Sequence, residues 1–167
     1  ELIAELFQEK RDLVSFEELP QSLVNAFLAA EDQNFYNHFG IDIMAIVRAM
    51  GKNVIASIKS FRPTIVQGGS TITQQLAKRL FTAGERTIAR KALEAVLAFQ
   101  IEKRFSKEQI LEMYFNQIYL GHGCHGIVTA SRFFFDKNVR FLTVIESSVL
   151  AALPAKPKPK LWEGDPV

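Results

Sequence analysis

Two adjacent carboxylates, Glu31 and Asp32, end an apolar run in AAEDQNFYNHFG (residues 29–40), and aromatics, His38 and Gly40 follow at once. An apolar setting, a like charge next door and the negative end of a helix each disfavour the ionised form of a carboxylate. A glutamate placed this way is suited to accept a proton as a general base. The plain alternative is a solvated acidic pair at a helix end.

A second carboxylate, Glu94, stands in RKALE. On a helix, Arg90 and Lys91 lie one turn before it and Arg86 about two turns before. Surface pairs at this spacing stabilise by only about 0.2–0.5 kcal/mol, and they favour the glutamate on the N-terminal side, the reverse of the order here. A carboxylate among cations on a largely apolar helix suits an anionic substrate.

The third candidate is GGSTITQQLAK, residues 68–78. Gly68 and Gly69 before a helix start, with the hydroxyls of Ser70 and Thr71, could cradle a phosphate, because the first amides of a helix are unpaired. A nucleotide P-loop would need GxxxxGK[ST], which is absent. Gln74, Gln75 and Lys78 project from the first turns, Gln74 and Lys78 on one face. Thr71 with Gln74 also fits a capping box, so a well-capped surface helix is the alternative. In GHGCHG, His122, Cys124 and His125 invite a zinc reading. Three ligands within four residues cannot easily surround one tetrahedral ion, and no second ligand pair follows, so the glycines read as a tight turn. Phe133, Phe134 and Phe135 read as core.

The elements that must position these residues are helical. Pro20 suits a first turn, and Val24, Phe27, Leu28 and Glu31 follow at helical spacing, with Phe35 one turn on. Residues 41–61 place Ile43, Val47, Met50, Val54 and Ile58 on one side, with Arg48, Lys52, Lys59 and Arg62 among them. Pro63 and the glycine pair break the chain before STITQQLAKRLF. ERTIARKALEAVLAFQIEKRF is the longest helical pattern. Ser106 with Gln109 opens KEQILEMYFNQIYL as a second capping box, and FLTVIESSVLAAL runs to Pro154. Alternating strand patterns are scarce, so the expected class is mainly α. At 167 residues, 48% hydrophobic, with 14 Phe and a net charge of +2, the chain reads as one packed domain without a nucleic-acid-binding surplus of charge. Its single cysteine excludes an internal disulfide framework. No apolar stretch reaches the roughly 18–20 residues that span a bilayer.

The order of the segments is more specific than any one of them. EDQNFYNHFG, GGSTITQQLAK, RKALE, KEQILEMYFNQIYLG, then ASRFFFDK and LAALPAKPKP, resemble the five-motif series of bacterial peptidoglycan glycosyltransferases. These are the glycosyltransferase domains of class A penicillin-binding proteins and of monofunctional transglycosylases. The resemblance covers roughly residues 13–160. It implies one lysozyme-like helical domain over 1–167, with 41–66 as a smaller membrane-proximal hydrophobic subdomain and mobile loop. Residues 154–167 are then an extended tail, cut short of the family's further helices. The implied reaction polymerises lipid II into β-1,4-linked glycan with inversion, releasing undecaprenyl pyrophosphate, at the outer face of the cytoplasmic membrane. The anchor would lie outside this chain, and a transpeptidase domain could follow in the parent protein.

By the same resemblance Glu31 matches the general base, and Glu94 the second essential glutamate, which could order basic residues, hold a divalent cation (Mg or Mn) or stabilise the donor diphosphate. Lys78 and Arg86 match positions that contact that diphosphate, with Arg90 and Lys91 beside them. Ser70, Gln74 and Gln75 match polar contacts to donor phosphate or sugar. Asp32 and Phe35 shape the first motif, and His38 with Gly40 fix its turn. Tyr114 and Asn116 match the fourth motif; Asn116 is carried as a substrate-binding candidate, although a structural role suits both. The fifth motif departs from the family's AxxYFGK, with Ser131, Phe134 and Asp136 in place of Ala, Tyr and Gly, and His125 replaces a tyrosine before Gly126. The rivals from other classes are a glycan-cleaving enzyme, which would have no diphosphate to neutralise with its cations, and a catalytically silent lipid II-binding module.

Overall fold

The structure is a computed structural model that describes residues 13–60, 69–81 and 87–154, apart from the side chains of 59 and 60. Arg62, Pro63, Gly68, Arg86 and the tail after Pro154 lie outside the described residues. Seven α-helices occur among the described residues: α1 (Gln21–Glu31), α2 (Ile43–Ser60), α3 (Ile72–Phe81), α4 (Ile88–Arg104), α5 (Lys107–Gln117), α6 (Ile127–Phe135) and α7 (Val144–Ala152). Short 3-10 turns lie at Phe16–Glu18, Phe35–Asn37 and Val139–Phe141. The described residues form no strand, and a lone bridge joins Tyr119 and His125. The fold is mainly α, as the helical spacing predicts.

Local chemistry sets most helix ends. Thr71 Oγ1 accepts from the Gln74 amide at 3.1 Å while Gln74 Oε1 accepts from the Thr71 amide at 3.1 Å. Ser106 and Gln109 make the same reciprocal pair at the start of α5. Both boxes are those read from the sequence, and Thr143 with Glu146 adds a third at α7. Asp136 closes α6 in the left-handed region, φ 51° and ψ 39°. This is where the family carries glycine; aspartate is among the few residues that tolerate the conformation, so the departure keeps the turn. Ser131, another departure, is buried and donates to the Lys137 carbonyl at 2.8 Å.

The chain divides into two compact units, Glu1–Phe27 with Phe115–Val167, and Leu28–Tyr114. In the first, Leu23, Phe27, Phe115, Ile118 and Ile127 are fully buried, with the Phe27 and Phe115 rings edge to face at 5.0 Å. In the second, Phe35, Ile72, Leu76, Ala98, Ile110 and Leu111 are buried, and α3 packs on α4. Phe133, Phe134 and Phe135 correct an expectation: Phe133 is 58% exposed and the other two are half-buried. Consecutive helical residues point about 100° apart, so three in a row cannot share one buried face.

α2 turns its apolar stripe outward. Its stripe of Ile43, Val47, Met50, Val54 and Ile58 is 58–70% exposed at every position, and Ala49 is its one buried side chain among those described. The helix therefore presents its apolar face outward instead of burying it as a core helix would.

Candidate active site

The first motif is built as a turn locked from several sides. Asp32, only 6% exposed, lies 3.0 Å through both carboxylate oxygens from His38 Nε2, and its Oδ2 accepts from the Ile72 amide at 2.9 Å. That amide is one of the unpaired first-turn donors of α3, so Asp32 caps the helix in charge as well as in hydrogen bonding. Gly40 has φ +81°, and a Cβ there would stand 3.0 Å from the Ala98 carbonyl. Its own carbonyl accepts from Thr71 Oγ1 at 2.6 Å. Phe35 is 1% exposed, packed edge to face against Tyr36 and His38. Asp32 and Phe35 therefore shape the motif from inside: Phe35 is closed off from the surface, while Asp32, its oxygens held by His38 and the Ile72 amide, still borders the cleft beside Glu31.

This scaffold places Glu31 at the C-terminal end of α1, half-buried. Its Oε2 accepts from Gln75 Nε2 at 2.7 Å, a contact from the second turn of α3. Glu31, Asp42, Arg48, Gly69 and Ser70 line one shallow cleft of about 60 Å³. Behind it, burial pushes the Tyr114 phenol far up, with the Glu31 charge adding and Arg79 opposing. Arg79 thus brings a cation within electrostatic reach of Glu31, one helical turn after Gln75.

Two cations gather around Glu94 on α4. Glu94 is 2% exposed, with its Oε1 3.2 Å from Arg90 Nε and its Oε2 3.1 Å from Lys91 Nζ. Lys91 Nζ also donates to Ser70 Oγ at 2.9 Å, which ties α4 to the cleft-lining segment before α3. A buried carboxylate that fixes two cations, one of them 52% exposed, presents positive charge to an anion. The same arrangement does not fit a metal at Glu94, since both oxygens already face cations. Among the described residues no group of three His, Cys, Asp or Glu is placed to share an ion. Cys124 is buried, which pushes its thiol up, and His122 stacks on Phe133 at 5.6 Å.

Other candidates fall differently. Gln74 is 3% exposed and spends its carbonyl on the capping box, so it is a helix-start residue and not a surface contact. Asn116 grips Val14 in both directions, accepting at 3.0 Å and donating at 2.8 Å, a structural use of the side chain. Lys78 is exposed in the last turn of α3, three residues after Gln75. Arg86 lies outside the described residues. Sequence reasoning passed over Arg79, Glu102 and Lys107. Arg79 could have been found from its i+4 spacing to Gln75; Glu102 and Lys107 carry no local signal.

Comparison with known proteins decides the family. The transglycosylase family profile matches residues 1–163. The chain belongs to the transglycosylase family. It is 46% identical over 155 residues, 93% of its length, to penicillin-binding protein 1F of Bacillus subtilis (strain 168). It is 52% identical over 149 residues, 89% of its length, to penicillin-binding protein 1A of Aquifex aeolicus (strain VF5). Those stretches make up 21% and 20% of the two relatives, so the transglycosylase chain spans about a fifth of the proteins it matches. Its helical architecture agrees with the lysozyme-like domain of transglycosylases, and no described helix is long and apolar enough to cross a membrane.

Proposed function

We propose that this transglycosylase chain is a peptidoglycan glycosyltransferase that polymerises lipid II, releasing undecaprenyl pyrophosphate. The observation that carries the reading is the cleft with Glu31 and Ser70 in its lining, Ser70 being held by Lys91, which Glu94 orders together with Arg90. In this reading Glu31 takes the proton of the acceptor sugar's 4-hydroxyl as its oxygen attacks the donor's anomeric carbon. The new β-1,4 C–O bond forms as the α-bond to pyrophosphate breaks, and the leaving diphosphate departs with the electron pair. Lys91 and Arg90, with Lys78 and Arg86, neutralise the charge that develops there. Gln75 holds the Glu31 carboxylate toward the acceptor.

The ordered cations support transfer from a diphosphate over cleavage of a glycan, whose leaving sugar oxygen needs a proton donor instead. The outward apolar face of α2, with Arg48 and Lys52 beside it, supports a seat in the outer face of the cytoplasmic membrane next to an anionic lipid substrate. A longer parent chain with an anchor and a penicillin-binding portion accords with the length of the relatives.

The test is labelled lipid II in detergent, incubated with wild type and Glu31→Gln and resolved by gel. Polymer from wild type and none from Glu31→Gln, at unchanged circular dichroism, is expected. Wild-type rates from Glu31→Gln would overturn the assignment of Glu31.

A further inference from the structure

One charged pair, a buried carboxylate with a half-buried ammonium, takes no part in the chemistry described above. Glu102, near the end of α4, has a side chain 2% exposed, and Lys107, in the first turn of α5, has one 19% exposed. Lys107 Nζ lies 2.8 Å from each Glu102 oxygen and also donates to the His38 carbonyl at 2.8 Å. The same ammonium sits 4.4 Å above the Phe35 ring. Glu102 Oε1 accepts in addition from Thr73 Oγ1 at 2.7 Å, and Thr73 is fully buried in the first turn of α3.

These contacts close a circuit. The turn after Glu31 is joined through His38 to Lys107, through Lys107 to Glu102, and through Glu102 to Thr73 on α3. Asp32 completes it, bonded to His38 on one side and to the Ile72 amide on the other. Glu31 precedes Asp32 in the chain, and its partner Gln75 lies two residues beyond Thr73. The circuit thus grips both ends of the Glu31 contact with Gln75 without touching either carboxylate oxygen of Glu31.

Burying an ion pair costs desolvation that its attraction only about offsets, so such a pair is a poor source of stability, and a geometric role is the better account. We infer that Glu102 and Lys107 are positioning residues that set the register between the Glu31 turn and α3, and so aim Glu31 through Gln75. The catalytic consequence rests on the proposal that Glu31 is the base; the positioning itself does not.

The experiment replaces the circuit's side chains by apolar groups of similar size, Thr73→Val, Glu102→Leu and Lys107→Met together, which removes the Glu102 carboxylate in step with its two donors and frees the His38 carbonyl from Lys107. Methionine also keeps a contact on Phe35. Two readouts are taken on the folded variant: the Gln75 side-chain amide resonance by NMR, and kcat and KM for lipid II. The expected result is a Gln75 amide moved toward the position of an unbonded amide, with kcat down about 10- to 100-fold and KM within about twofold of wild type. An unmoved Gln75 resonance overturns the inference whatever the rates do. A moved resonance with unchanged kcat upholds the positioning and overturns its catalytic consequence, while Glu31 as base stands or falls separately with Glu31→Gln. Should the triple variant fail to fold, Thr73→Val alone cuts the link to α3 while keeping the ion pair, and the same Gln75 resonance decides.

Discussion

Gln75 Nε2 donates to Glu31 Oε2 at 2.7 Å across 44 residues of sequence, joining the end of α1 to α3. A neutral donor on a carboxylate orients it without cancelling its charge, as a base requires. Gln75→Ala is therefore expected to lower polymerisation about tenfold by loosening that aim. Gln75→Glu, which sets a like charge at the same place, is expected to cost more. Equal rates for both variants and wild type would show that Gln75 is incidental.

Lys91 and Glu94 touch at 3.1 Å, but Lys91 is 52% exposed, so their coupling is screened. A double-mutant cycle of Lys91→Met and Glu94→Gln, read by urea denaturation, is expected to give a coupling of about 0.5–1 kcal/mol. Glu94→Gln should also lower polymerisation more than Lys91→Met does, since Glu94 orders Arg90 as well. A coupling of zero would make the pair a surface accident.

Gly40 and Gly123 both have φ near +80°, yet differ in their surroundings. At Gly40 a Cβ meets the Ala98 backbone at 3.0 Å, whereas at Gly123 nothing lies within 4 Å. Gly123→Ala should lose only the cost of a left-handed alanine, about 1–2 kcal/mol. Gly40→Ala should lose that and the close contact, and its Tm should fall by about 5 °C or more. Thermal scans of the two variants side by side check the ordering.

Glu146 is held at about 2, below the usual 4.5, first by the hydrogen bond from Lys137 Nζ and then by the Thr143 backbone amide. A carboxyl whose folded value is depressed contributes stability that is fully present above 4.5 and is lost as pH falls toward 2. The Tm gap between wild type and Glu146→Gln should thus be constant near neutral pH and shrink between pH 4.5 and 2. A gap that stays flat in acid would refute the pairing.

The apolar face of α2 predicts lipid binding. Replacing Val47, Met50 and Val54 together by serine should lower partitioning into anionic vesicles at least about tenfold, by apolar surface withdrawn from lipid. Circular dichroism should stay unchanged, because these side chains are 58–63% exposed. Unaltered sedimentation with vesicles would place the membrane contact elsewhere.

How much of this was legible beforehand follows the range of each interaction. The capping boxes at Thr71 and Ser106, the helical stripe of α1 and the glycine turn at 121–126 are read from neighbours a few residues apart, and they stand in the structure as read. The motif order placed the family for the same reason, since each motif is a short local string. α6 was not foreseen, because its start lies in the glycine-rich turn and its Phe run suggested a core.

The sequence by itself determined the helices other than α6, the caps at Thr71 and Ser106, and the family. Tertiary structure alone decided which polar side chains are held by distant protein partners. Asp32 and Glu31 are neighbours of the same type and both line the cleft, yet packing turns the Asp32 oxygens onto His38 and the start of α3, and sets Glu31 against Gln75. It also buried Glu94, turned the α2 stripe outward, and joined Glu102 to Thr73 and Lys107 to His38 across 29 and 69 residues. Local spacing sets backbone conformation through contacts within a turn; burial and long-range pairing depend on which faces meet when the helices pack, and no short window of sequence holds that information.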